Sequence, residues 1–222
     1  LVSFTKRHRI MAISSNQSLI VNFFVSRSIF TNKNNTVIMS LGLILFGSIL
    51  LAISAQYKVP LGPVPITLQT LVVMLIGTLY GMRLGALTVI AYWIEGVAIG
   101  GVFSFIPWFA NGSGILYFTT SPSAGFLWGF LPMVLIISFL NDQCSWRNNP
   151  LTIVASLLLG QAALYGVGLS HAYIIVMPYV AWMNSGSEML NIYIYPFITG
   201  DAIKTAIAAC LTAQAVWIAR RK

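Results

Sequence analysis

The chain has 222 residues, of which 58% are apolar and only 7% carry a charge, against roughly 25% charged in an ordinary soluble domain. With a mean hydropathy of +0.85 and apolar runs of about 20 residues recurring along it, the composition argues against a water-soluble globule and for a polytopic helical membrane protein, because each span must cross roughly 30 Å of hydrocarbon. The net charge of +8 comes from basic residues at the two ends and between apolar runs, which is topology information and implies no nucleic-acid partner.

Residues 1–36 differ from the rest. Lys6, Arg7, His8, Arg9, Arg27 and Lys33 are interspersed with Ser, Asn and Thr, and the apolar stretch at 19–25 is too short to span. The expectation is a basic cytoplasmic leader, poorly ordered or lying at the interface. It is acid-free like a transit peptide but has no small-residue cleavage site after a full apolar region, so a cleaved signal is the lesser reading. Met11 and Met39 are later candidate starts, and part of the leader is expected to be a start-site artefact.

Residues 37–222 read as a single membrane domain, with spans at about 37–55, 66–82, 84–103, 124–140, 151–170 and 197–218. A further aromatic-rich apolar stretch at 171–196 is interrupted by Met177-Pro178-Tyr179 and Asn184-Ser185-Gly186, and it holds either a re-entrant segment or a seventh span. Charge arbitrates. With six spans and an inside N-terminus, the leader, Arg83, Arg147 and the terminal Arg220, Arg221 and Lys222 all lie inside, while the outside receives only Lys58. Seven spans would put the Arg-Arg-Lys end outside, against the positive-inside bias. The expected fold is thus an all-α integral membrane protein, a six-helix bundle with both termini cytoplasmic.

In the first span Ser48-x-x-x-Ala52 is a small-xxx-small pair that permits close approach of another helix, and it is taken as the partner-facing position. Three connections fall on the outer side, at 56–65, about 104–123 and 171–196. The first holds Pro60, Gly62, Pro63 and Pro65, and the second Asn111, Gly112, Ser113 and Gly114. Non-helical backbone at membrane depth is tolerable only when buried in protein or lining a cavity, so the outer half is where a site is sought.

Three ionisable residues lie within or at the edge of spans: Glu95, Asp201 and Lys204. Such charges are costly in hydrocarbon and mark function or mutual pairing. Asp201 and Lys204, at i and i+3, share a helix face just after Tyr195-Pro196-Phe197-Ile198-Thr199-Gly200; they offer a ligand an acceptor and a cation together, or merely neutralise each other. Glu95 is open between a packing or interhelical role and a ligand contact. Thr67, Gln69 and Thr70, after the proline-rich loop, are open between ligand contacts and capping or interhelical bonds. His171 reads as a packed or snorkelling residue. Among Tyr92, Trp93, Trp108, Trp128, Tyr165, Trp182 and Tyr195, a few are expected to wall an apolar pocket and the rest to sit in interfacial belts.

Absences narrow the function. Gly200-Asp201-Ala202-Ile203-Lys204-Thr205 lacks the glycine spacing of a phosphate-binding loop, and there is no G-x-S-x-G, no H-E-x-x-H and no carboxylate cluster. Cys144 and Cys210 show no reason to pair and no metal-ligand spacing. With two His and four acidic residues in the whole chain, binding or transport is favoured over an enzyme, with no metal and no resident cofactor.

At Val59-Pro60-Leu61-Gly62-Pro63-Val64-Pro65-Ile66-Thr67-Leu68-Gln69-Thr70 the sequence resembles the biotin-specific substrate-binding component, the BioY family, of energy-coupling factor (ECF) transporters. The likeness continues through Gly77 and Gly81 to Gly85, Tyr92-x-x-Glu95-Gly96, Asn111-Gly112-Ser113-Gly114 and the 122–130 segment. It is most specific at Pro196-Phe197-x-x-Gly200-Asp201-x-x-Lys204. It covers about 40–218. Gly101 stands where the family has proline, and Phe126 lacks the hydroxyl of the family's tyrosine.

The resemblance implies a multi-pass protein of the bacterial cytoplasmic membrane that captures biotin from outside. It would present the vitamin to a transmembrane coupling protein and two cytoplasmic ATPases, which alone bind ATP, and would tilt as a body when they turn over. The ligand-binding residues implied are Asp201 accepting from ureido N–H, Asn111 and Gln69 offering amides, and Lys204 balancing Asp201 or meeting a ligand oxygen, with Thr67, Tyr92 and Glu95 near them. Rival readings are uptake of another small vitamin, or biotin transport without ATPase partners.

Overall fold

The computed structural model describes residues 33–60, 63–102, 107–179 and 186–221; the expectation for the leader falls almost wholly outside them. A long apolar helix α1 (Lys33–Gln56) runs into a small hairpin, β1 (Lys58–Val59) paired antiparallel with β2 (Ile66–Thr67). Then follow α2 (Gln69–Leu79), α3 (Gly81–Val102), the short α4 (Gly114–Thr120), α5 (Ala124–Asp142), α6 (Pro150–His171), α7 (Gly186–Tyr193) and α8 (Tyr195–Arg220).

Among the described residues five helical stretches are long and apolar enough to cross a membrane: Asn35–Gln56, Gly81–Ile99, Ala124–Asp142, Pro150–Val176 and Ser187–Arg220. The exception to the expected spans is 66–82. There Ile66 and Thr67 are taken by the hairpin, and α2 has 11 residues, about 16 Å at 1.5 Å per residue, too short to cross alone. It is instead a core helix, with Val73 and Met74 fully buried. Gly81 follows at φ 75°, a left-handed conformation that costs glycine little and other residues more, and this lets α3 begin where α2 stops.

The described residues of the 171–196 stretch, 171–179 and 186–196, fall at the end of α6, in α7 and at the start of α8. The end of α6 loosens into a π-helical turn (Ala172–Val176) and a 3₁₀ turn (Met177–Tyr179) at Pro178, and α7 then leads directly into α8, whose first turn contains Pro196. Proline is suited to that position because its missing N–H would have no intrahelical acceptor there.

Side-chain hydrogen bonds tie the bundle internally, as apolar surroundings require. Ser138 Oγ donates to the Gly77 carbonyl at 2.8 Å, Asn141 Nδ2 to Ser156 Oγ at 2.7 Å, and the hydroxyls of Thr78 and Thr212 meet at 2.9 Å. After a 3₁₀ turn at Trp146–Asn148, Arg147 reaches across to the Thr78 carbonyl at 2.9 Å and pairs with Asp142. Arg147→Ala takes a shared cationic donor away from that carboxylate and carbonyl in a largely buried place. It is expected to cost about 2–3 kcal/mol, read as a lowered melting temperature in detergent.

The small pair on α1 requires a correction. Ser48 is completely buried and Ala52 nearly so, and Ser48 Oγ donates to Glu95 Oε1 at 2.9 Å. At neighbouring Gly47 a Cβ would come within 2.6 Å of Thr88 Cγ2. These small residues therefore let α3 of the same chain approach. The face of α1 open to lipid or to another protein is the opposite one, with Ile38, Leu41, Leu45, Phe46, Ile49 and Ile53 exposed.

Candidate functional site

Asp201 and Lys204 lie in the second and third turns of α8, both buried, and their i, i+3 spacing turns them to the same side. Lys204 Nζ donates to Asp201 Oδ1 at 2.9 Å and to Thr70 Oγ1 on α2 at 3.0 Å. The Tyr165 hydroxyl, from α6, donates to Asp201 Oδ2. Behind the carboxylate, Thr205 Oγ1 lies 2.7 Å from the Asp201 carbonyl and 3.1 Å from Gln161 Oε1. The ion pair is thus the meeting point of α2, α6 and α8, held in position from three sides.

It forms one wall of a partly open cavity of about 50 Å³. Thr67, Gln69, Thr70, Tyr165, Asp201 and Lys204 give the lining its polar groups, and Phe126, Leu127, Phe130, Leu164 and Phe197 its apolar ones. Phe126 organises the apolar side, stacking nearly parallel on Tyr193 (8° between planes) and Phe197 (21°) and meeting Tyr165 edge-on (87°). This lining offers a flat, partly apolar molecule both ring faces to stack on and hydrogen-bonding groups for its edge. Ala110, Tyr117 and Ser123 close it on the side of the connection between α3 and α5.

Of the sequence-predicted residues, Thr67, Gln69, Asp201 and Lys204 stand together on the cavity wall. Tyr92 stands behind them, with no exposed surface; its hydroxyl accepts from Gln69 Nε2 at 2.7 Å and lies 3.4 Å from the Trp108 carbonyl, so it orients the amide. Asn111 adjoins the wall residue Ala110, and its Oδ1 accepts from Lys58 Nζ at 2.7 Å while its N–H donates to the Tyr117 hydroxyl at 3.3 Å. Glu95 points elsewhere, to Ser48 on α1.

Tyr165 was only one of many aromatics in the sequence, and Phe126 and Phe197 carried no polar signal. Their assembly around Asp201 comes from the crossing of α5, α6 and α8. Thr205 had a readable sign, a hydroxyl one turn after Asp201 on the same helix face. Nothing in the sequence marks Gln161 as its partner.

Several named proteins are similar to this chain. A probable biotin transporter BioY of Lysinibacillus sphaericus is 30% identical over 181 residues, covering 81% of this chain and 87% of that protein. The biotin transporter BioY of Rhizobium etli is 32% identical over 170 residues, covering 75% and 87%. In three dimensions the fold resembles a solved S-component for biotin from an ECF-type ABC transporter, with a TM-score of 0.68 at 21% identity, over 83% of this chain and 94% of that one. Residues 27–222 match the profile of the BioY family, and with those relatives and that fold the chain belongs to the BioY family.

Proposed function

We propose that this protein captures biotin at the outer face of a bacterial cytoplasmic membrane and serves as the substrate-binding component of an ECF-type transporter. The observation that carries this reading is the buried Asp201–Lys204 pair, braced by Tyr165 and Thr70, on the wall of a chamber also lined by the rings of Phe126, Phe130 and Phe197. Biotin has two ureido N–H donors and a carbonyl acceptor on an apolar bicycle, and an acidic tail. Asp201 accepts from a ureido N–H, Lys204 or the Gln69 amide meets the ureido oxygen, Thr67 adds a hydroxyl, and Phe126 and Phe197 cover the ring. Tyr92 contributes through Gln69, and Asn111 lies at the rim. Glu95 serves the α1–α3 contact rather than the ligand.

In this reading α2 completes a bundle of six helices, with both termini in the cytoplasm as the distribution of Lys and Arg favours. Energy comes from a coupling protein and two ATPases, and the lack of a phosphate-binding loop in this chain agrees with that division of labour. The protein is then a carrier, not an enzyme, and needs neither metal nor cofactor.

Titration of the purified, detergent-solubilised chain with biotin by calorimetry tests the reading, with riboflavin and thiamine as competitors. Saturable biotin binding that neither competitor displaces supports it. A folded sample that binds one of the others instead assigns it to a different vitamin. Within the site, Tyr165→Phe removes one donor from Asp201 and keeps the ring, and biotin affinity is expected to fall about fivefold with little change in melting temperature.

A further inference from the structure

The outer hairpin presents a cation that the bundle itself does not neutralise. Neither the Arg147–Asp142 nor the Lys204–Asp201 ion pair includes Lys58. Lys58 is exposed on β1, directly opposite Thr67 of β2 in the antiparallel register. Directly opposed residues send their side chains to the same side of a hairpin, and Thr67 lines the cavity. The Lys58 ammonium accordingly reaches the far rim, where it donates to the carbonyl of Ala110, a wall residue, and to Asn111 Oδ1 at 2.7 Å. An ammonium has three N–H donors, and two of them are engaged by these neutral acceptors.

We propose that Lys58 is a specificity residue for the charged end of the ligand, its third donor receiving the ligand's carboxylate at the rim while the ring is held by Asp201 and its neighbours. This rests on the reading of the cavity as a biotin site and extends it. A neutral carbonyl and a neutral amide keep the cation in place without cancelling its charge, so the attraction remains available to an incoming anion. Lys58 and Lys204 also border a second, open cavity beside the hairpin, so one cation marks the rim and the other the chamber's polar wall. Lys204 is already committed to Asp201 and Thr70, which leaves Lys58 as the better partner for a monocarboxylate tail.

The test compares biotin with biotinamide, the same molecule with an uncharged tail end, on the full chain in detergent. Lys58→Gln keeps amide donors for Ala110 and Asn111 and removes only the charge. It is expected to weaken biotin about fivefold, the upper range for an exposed ion pair, and to leave biotinamide binding unchanged. Lys58→Arg should retain the preference for biotin, and the wild-type preference should shrink with added salt. Equal loss of both ligands in Lys58→Gln would overturn the proposal and make Lys58 a mechanical tie between hairpin and loop. An unchanged preference for biotin would overturn it in favour of Lys204 or another carboxylate contact. If the wild type binds neither ligand, it is the biotin reading that fails, and the two failures are thereby distinguished.

Discussion

Asp201→Asn is expected to weaken biotin binding by about a hundredfold or more. The substitution is nearly isosteric, so its effect comes from charge and hydrogen-bond polarity. A carboxylate accepts from Lys204 at 2.9 Å and from the Tyr165 hydroxyl while keeping lone pairs free toward the cavity. An asparagine has only one acceptor oxygen, and its NH₂ would face a donor on one side. Hydrogen bonds to charged groups contribute about 1.5–3 kcal/mol each, and removing one partner of a buried charge pair costs about 2–5 kcal/mol, in part because the other charge is left unpaired. Calorimetry on the variant reads the loss, and a melting curve in parallel separates it from unfolding. Lys204→Met complements it, leaving Asp201 with Tyr165 but without a counter-charge. Binding that stays tight in both folded variants would make the pair a structural ion pair and move the ligand elsewhere in the chamber.

The second large effect is structural. Gly125→Val is expected to destabilise the bundle by about 3 kcal/mol and to remove ligand binding with it. A Cβ at Gly125 would lie 2.4 Å from His171 Cβ and 3.0 Å from the Gly168 carbonyl. One turn along the same face, a Cβ at Gly129 would lie 3.0 Å from the Leu164 carbonyl and 3.1 Å from its Cα. Three of these four obstacles are backbone, which cannot rotate away, so α5 and α6 must separate. Phe126 and Tyr165 are carried on these two helices and meet edge-on across the seam, so separation also spoils the cavity. Gly166, on α6 with nothing within 4 Å of a built Cβ, is the control: Gly166→Ala should be neutral or gain up to about 1 kcal/mol from helix propensity. Thermal melts of both variants check the pair. Equal, small effects would show that the α5–α6 seam is not close-packed.

Hydrophobic length was the most readable property because a helix satisfies its backbone hydrogen bonds within its own segment, so a long apolar run needs no knowledge of its neighbours to be a helix in lipid. Hence α1, α3, α5, α6 and α8 lie close to the expected 37–55, 84–103, 124–140, 151–170 and 197–218. The short α2 was harder to read. Its preceding residues Ile66 and Thr67 suit a strand as well as a helix, and the choice was made by pairing with Lys58 and Val59, eight residues earlier. Small residues told a similar half-truth: Ser48 and Ala52 signalled close approach of a helix, but the periodicity carries no label for which helix, and it is α3.

The amino-acid sequence by itself determined that this is a helical membrane protein, that Asp201 and Lys204 share a helix face, and that its motifs resemble those of the BioY family, since composition, helical spacing and residue order are all local properties. Only the tertiary structure decided that Tyr165, 36 residues away, donates to Asp201, that Lys204 reaches Thr70 across 134 residues, and that Glu95 turns to α1 instead of the cavity. A buried polar group must find a partner, and its chemistry says what kind. Which residue supplies it depends on how closely helices cross, and that is settled by glycines packed against another helix's backbone, as at Gly125 and Gly129.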